Sequence, residues 1–306
     1  GSGTSNGPAA ILKASAQLDL ADPNFHEAWQ PGYCLKLLDP DIQRKSKQLR
    51  TKTVSYIESL EEGMPPNPNF PVVQEANQAG FCLKESIKIQ ALELLQNQKI
   101  PALLGGDHSC PLGLMEAIAE HYGDFGILQI DAHADLRPAY EGFQYSHASI
   151  MWNALKMTTL KTLTQVGIRD LCQQELELIH ENPNRIHTFF DADLKEAAHQ
   201  GVAWGQSIQE IIDTLPQYVY VSFDIDGLDP KLCPNTGTPV PGGLDFGEVL
   251  SLFKALVKSG RRIAGFDLCE GSPGETEWDA NVGARILYKL CCWTAASQGK
   301  LQAIDH

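Results

Sequence analysis

Hydrophobic residues along the chain gather into short, mostly apolar runs, separated by longer segments with helical spacing. Ile100–Leu104, Phe125–Ile130, Leu163–Ile168, Ile186–Phe190, Tyr218–Phe223 and Ile263–Leu268 read as strands. Helices are predicted at Glu75–Gln96, Leu112–Tyr122, Gln173–Glu181, Ser207–Thr214, Phe246–Ser259 and Asp279–Ala296. Strands that are apolar throughout, rather than alternating, imply burial on both faces. Strand–helix alternation of this kind predicts a three-layer α/β/α architecture with a mostly parallel sheet.

Residues 22–70 are less regular, and Glu62–Pro71 carries four prolines that exclude a helix there. The opening Gly1-Ser2-Gly3-Thr4-Ser5-Asn6-Gly7-Pro8 reads as a loop. Neither repeat, low-complexity tract nor linker divides the chain, so residues 1–306 are expected to form a single domain. The formal net charge of −14 disfavours nucleic acid or an anionic membrane as the main partner, and suits a cationic substrate. Eight cysteines lie scattered without a Cys-x-x-Cys pair, which suggests reduced thiols in a cytoplasmic protein. No 18-residue apolar run and no signal peptide is visible.

The chemistry concentrates just beyond the strand candidates. Asp131-Ala132-His133-Ala134-Asp135 follows Phe125–Ile130, and Asp224-Ile225-Asp226 follows Tyr218–Phe223. Period-two geometry puts Asp131, His133 and Asp135 on one side of a strand end. His108, in Gly105-Gly106-Asp107-His108-Ser109, follows another strand candidate. Taken singly, Asp-x-Asp after a strand is ordinarily a cap, and Gly-Gly-Asp-His a tight turn. That turn lacks the Gly-Lys-Ser/Thr ending of a phosphate loop. Together, the three motifs indicate a metal centre, because side-by-side ionisable groups are costly to bury without a cation. Two imidazoles and four carboxylates form a hard donor set suited to Mn²⁺ or a related ion. That much negative charge fits two dications about 3.5–4 Å apart better than one.

These three motifs, with Ser222–Pro230 completing the last, resemble the signatures of the ureohydrolases. That family comprises arginases, agmatinases, guanidinobutyrases, formimidoylglutamases and guanidine hydrolases. The resemblance runs from Gly1 to about Trp293 and includes Gly237–Leu244. It implies an arginase/deacetylase-like fold. It also implies that His108, Asp131, Asp135 and Asp224 hold one metal and Asp131, His133, Asp224 and Asp226 the other. Asp131 and Asp224 would bridge. The implied reaction is attack of a bridging hydroxide on a guanidinium or formimino carbon, typically releasing urea and an amine. Asp135 would accept a hydrogen bond from the nucleophile, His147 would carry a proton to the leaving amine, and Glu270 would clamp the guanidinium. Asp267 would support Glu270, and Thr238 would line the pocket. Asp193 is a looser match to an acid near the substrate tail.

Substrate choice is expected to reside in two loops. Leu136–His147, with Tyr140, is closer to agmatinases and lacks the Asn- and Ser-bearing stretch with which arginases hold an amino-acid head. Gly271–Asp279 departs from the usual agmatinase loop, and Trp278 there is placed to close the pocket around a smaller substrate. The leading expectation is an agmatinase-like enzyme with two Mn²⁺ ions. The alternatives are a guanidine hydrolase, with Ni²⁺ possible, a guanidinobutyrase or a formimidoylglutamase. A single-zinc deacetylase and a catalytically silent scaffold are weaker alternatives, because all six ligands, His147 and Glu270 are present. The resemblance further implies a homo-oligomer, trimer or hexamer. Gly1–Leu12 resembles the glycine loop after the family's first strand, so a native extension carrying that strand is expected before Gly1.

Overall fold

In the computed structural model, which describes residues 3–37 and 39–304, the predicted strands join in one parallel sheet. They are β1 (Ala102–Leu104), β2 (Phe125–Ile130), β3 (Leu160–Ile168), β4 (Ile186–Phe190), β5 (Tyr218–Asp224) and β6 (Arg262–Cys269). Their spatial order is β1-β6-β5-β2-β3-β4. β1 lies at one edge; from β2 the chain runs outward through β3 to β4, then returns at β5 beside β2 and ends at β6, between β5 and β1. Carboxyl ends of central parallel strands are where such sheets place ligands.

Helices cover both faces. Against one face pack α1 (Gly7–Ser15), α8 (Trp204–Asp213), α9 (Phe246–Lys258) and α10 (Trp278–Ser297). The other is covered by α3 (Pro71–Gln96), α4 (Leu112–Tyr122), α5 (Ile150–Ala154) and α6 (Gln173–Glu181). Alternation along β2 assigns its side chains to the two layers: Leu128 and Ile130 face the first, Phe125 and Ile127 the second. All four are completely buried, which is why the strand reads as an apolar run rather than an alternating one.

Two expectations are corrected. Residues 22–70 are not uniformly irregular, because α2 (Pro40–Glu61) lies within them. Asp39 caps it by accepting a hydrogen bond from Asp41 N at 2.8 Å, and Pro40 occupies the first turn. Tyr56 is its one buried residue, so the apolar periodicity that marks a packed helix is faint. That ring sits against Phe70 and Phe143, and its hydroxyl donates to Glu141 O at 3.2 Å. The opening loop is likewise shorter than expected: Thr4–Asn6 forms a 3₁₀ turn and α1 starts at Gly7. Gly1 and Ser2 lie outside the described residues. The proline-rich stretch is non-helical until Pro71, which opens α3. One further helix, α7 (Asp191–His199), follows β4 directly and carries Asp191 and Asp193 in its first turn.

Phe223 is fully buried on the α9 side, its ring 6.1 Å from that of Phe253. Phe223→Ala should cost about 3–5 kcal/mol, read as a lower urea midpoint with an unchanged slope.

Candidate metal centre

Four neighbouring strand ends supply the site. Asp131 directly follows β2 and Asp224 ends β5, while His108 and Glu270 follow β1 and β6. The structure gathers the six residues predicted to bind metal into two groups. In one, His108 Nδ1 lies 3.0 Å from Asp135 Oδ2, 3.1 Å from Asp131 Oδ2 and 3.5 Å from Asp224 Oδ2. In the other, His133 Nδ1 lies 3.2 Å from Asp226 Oδ2 and 3.6 Å from Asp131 Oδ1. The candidate ligand atoms of His108, Asp131 and Asp224 lie within 4.8 Å of one another, as do those of Asp131, His133 and Asp226. Asp131 thus belongs to both groups and turns one oxygen to each.

Backbone geometry at this site is unusual. Asp135 and Glu270 adopt left-handed conformations, with φ of 56° and 60°, although neither is glycine. Such conformations cost of the order of 1–3 kcal/mol and persist only where surroundings impose them. Here Asp135 O accepts from Met151 N and Trp152 N at 3.1 and 3.2 Å, at the start of α5. Glu270 is held at three points: its N–H donates to Gly106 O, its carbonyl accepts from Thr236 Oγ1, and its Oε1 accepts from His108 N at 2.8 Å. Gly227 lets the backbone after Asp226 press against β2, because a Cβ there would lie 2.6 Å from Asp131 N.

The orientation of His108 follows from its neighbours. Ser222 Oγ donates to Asp267 Oδ2 at 2.9 Å, so it accepts from His108 Nε2 at 2.8 Å. Nε2 therefore carries the proton and Nδ1 is the nitrogen turned toward the carboxylates, the arrangement a ligating imidazole needs. Asp267 backs His108 by way of Ser222, and His108 N in turn donates to Glu270. Arg169 performs a comparable service for the other group. Its guanidinium donates to the carbonyls of Gly167, Asp226, Leu228 and Val240, tying the chain around Asp226 to the loop that carries Thr238.

The electrostatics are those of a buried anionic cage. Burial, then the neighbouring Asp131, pushes the Asp135 carboxyl up to about 7. Burial, then Asp226, Asp131 and Glu270, raises Asp224 well above the carboxylate range. Burial and the nearby Asp107 bring Glu270 up to about 8. For His133, burial opposes charge, but hydrogen bonding with Asp131 and Asp226 outweighs it and carries the imidazole up to about 11. Each of these shifts favours a proton on a buried, crowded donor. Hard oxygen and imidazole donors, clustered around a shared carboxylate, fit two divalent ions.

The remaining predicted residues lie at different depths. His147 is half-buried, with its ring 5.9 Å from that of Tyr140, and burial lowers its pKa. Tyr140 also stacks over Arg137, at 5.1 Å. Thr238 Oγ1 lies 3.4 Å from Asp226 Oδ2. Trp278 is about half exposed, and its indole N–H donates to Lys231 O at 3.0 Å. Asp193 is exposed in the first turn of α7, two residues past the buried Asp191. Sequence reasoning missed the supporting roles of Arg169, Ser222 and Thr236, which reside in contacts between distant segments. It also missed Gln129, whose signal was a lone amide inside an otherwise apolar strand.

A profile described as the arginase family matches residues 1–292, almost the whole chain. The chain belongs to the arginase family. It is 35% identical over 221 residues to N(1)-aminopropylagmatine ureohydrolase of Thermus thermophilus, covering 72% of this chain and 71% of that protein. It is 32% identical to an agmatinase of Halalkalibacterium halodurans, covering 62% and 61% respectively. The agmatine ureohydrolase structure from Thermoplasma volcanium superposes with a TM-score of 0.71 at 23% identity, over 97% of this chain and 86% of that one, which shows the shared fold. An agmatinase-like ureohydrolase of this family is a hydrolase acting on linear amidines, and the arginase family uses binuclear metal centres.

Arg169→Ala would leave four carbonyls around the Asp226 segment without their donor. The change should lower stability by about 3 kcal/mol, measured by urea denaturation, and more than Arg137→Ala, whose partly exposed guanidinium has the buried Glu175 as its one ion-pair partner among the described residues.

Proposed function

We propose that this enzyme cleaves the guanidino carbon–nitrogen bond of a small cationic substrate and releases urea, with an agmatinase-like preference. The observation that carries this reading is Asp131, whose two carboxylate oxygens face two separate histidine-centred groups. His108, Asp131, Asp135 and Asp224 would hold one divalent ion and Asp131, His133, Asp224 and Asp226 the other. Mn²⁺ is the expected metal and Ni²⁺ the alternative. When bound, such a pair of ions lowers the pKa of water and supplies hydroxide at neutral pH.

The chain's own residues do the rest. Glu270 Oε1 is anchored by His108 N–H, which fixes the plane of the carboxylate for pairing with a planar guanidinium. An arriving guanidinium keeps its charge at any working pH, so it favours the ionised form of Glu270 over the neutral one. Asp135, buried beside Asp131, is placed to accept a proton or hydrogen bond from the nucleophile. Burial keeps His147 neutral near pH 7, so it is free to take up a proton and pass it to the departing amine. Thr238 and Tyr140 would shape the mouth, with Trp278 further out. The relatives whose names carry agmatine and aminopropylagmatine support a substrate with an amine tail. The proposal also covers a homo-oligomer formed from a single ureohydrolase domain. A cytoplasmic location agrees with the eight free cysteines.

Asp224→Asn, or removal of metal by a chelator, should reduce urea release at least about 100-fold. Unchanged turnover in either case overturns the mechanism. A panel of agmatine, arginine, guanidinobutyrate, formiminoglutamate and guanidine, with Mn²⁺ and Ni²⁺ loaded separately, tests the substrate. Turnover confined to guanidine would overturn the agmatinase-like preference. Metal loading should also weaken as pH falls. Asp135, raised to about 7, and His133, raised to about 11, hold protons that an entering ion must displace. Calorimetric titration at about pH 6 and about pH 8.5 should show tighter binding at the higher pH, with proton release to buffer.

A further inference from the structure

Beneath the candidate metal centre, five neighbouring strands each contribute one polar side chain at the same level. Register pairs Thr188 with Gln165, Gln165 with Gln129, Gln129 with Ser222, and Ser222 with Asp267. Gln129, Gln165, Ser222 and Asp267 are completely buried. A buried amide is costly unless its bonds are satisfied, so a row of polar groups across an apolar sheet needs a reason. Ser222 and Asp267 have one in orienting His108. The two glutamines lead elsewhere.

Their hydrogen bonds form a chain with a single direction. Thr188 Oγ1 donates to Gln165 Oε1 at 2.8 Å, and Gln165 Nε2 donates to Gln129 Oε1 at 2.7 Å. Gln129 Nε2 then donates to Asp131 Oδ2 at 2.8 Å. Each amide also grips the ligand loop, Gln165 through Ala134 O at 2.8 Å and Gln129 through His133 O at 3.2 Å. Because Ala134 O and His133 O can only accept, each glutamine must turn its NH₂ toward the ligand loop, which sets both amide flips. Gln129 must therefore present N–H, not C=O, to the shared carboxylate. On the other side, His133 N donates to Asp131 Oδ1 at 2.7 Å. The carboxylate is thus held by one N–H on each oxygen, which prevents it from turning both toward one group.

We propose that Gln129 and Gln165 are positioning residues that preset Asp131 to serve two ions at once. This inference rests on the two-ion reading of the centre. Neither glutamine touches substrate. Their effect should appear in metal binding before any turnover is measured.

The test is calorimetric titration of the metal-stripped full chain with Mn²⁺, with elemental analysis for stoichiometry and thermal unfolding as a control. Gln129→Leu should weaken Mn²⁺ binding about 10–100-fold, in the range expected for groups supporting metal ligands. Gln165→Leu should weaken it less, and the double variant should lose less than the sum of the two single losses, because both act on Asp131 through one shared bond. Thr188→Val, at the half-buried end of the row, removes only the terminal donor and should weaken binding a few-fold. It carries the test if Gln129→Leu does not fold. Wild-type protein that takes up two ions, beside a folded Gln129→Leu or Thr188→Val protein with unchanged affinity, overturns the relay alone. Wild-type protein that takes up no ion overturns the reading of the centre, and the relay with it.

Discussion

Carboxylates crowded into a place without water repel one another, and the site's organisation follows from that constraint. Asp131, Asp135, Asp224 and Asp226 are all buried, with Glu270 close by. Separated from solvent, such a group is stable only if protons or cations occupy it. The raised pKa values of Asp135, Asp224 and Glu270 and the elevated imidazole of His133 are the proton-filled form of that requirement. Two divalent ions are the other form, and the one that supports hydrolysis.

A parallel sheet makes such a site possible at tolerable cost. β2 and β5 are central and covered on both faces, so their ends are rigid and their side chains dry. Bonds to Ser222, Asp267, Gln129 and Arg169 satisfy the polar groups that the ligands bring with them. Strain is accepted at Asp135 and Glu270, where the chain must turn sharply to aim a carboxylate inward. This is local structure subordinated to the geometry of a site, and backbone hydrogen bonds from α5, Gly106 and Thr236 sustain it.

Legibility in the sequence tracks burial. β2, β4, α4 and α6 have the boundaries that their apolar pattern predicts. By contrast, α2 was hidden because one tyrosine anchors it and the rest of its surface faces solvent. Helix α7 was missed because it follows β4 without a break, which left no turn signal between them. Cap chemistry at Asp39 and Pro40 was the available cue for α2.

The candidate site divides in the same way. Alternation in Asp131-Ala132-His133-Ala134-Asp135 and in Asp224-Ile225-Asp226 is a local property of extended chain, so the sequence by itself determined which side chains share a face. The same holds for the reaction class that those residues imply. Only the tertiary structure decided that β2 and β5 are neighbours and that His108, which follows β1, reaches Asp131 across the ends of β6 and β5. It also decided that Asp131 divides its oxygens between two groups, and that Gln165, Gln129 and Arg169 stand behind the ligands. Those relations depend on strand order and register between segments far apart in the chain, which no local pattern encodes.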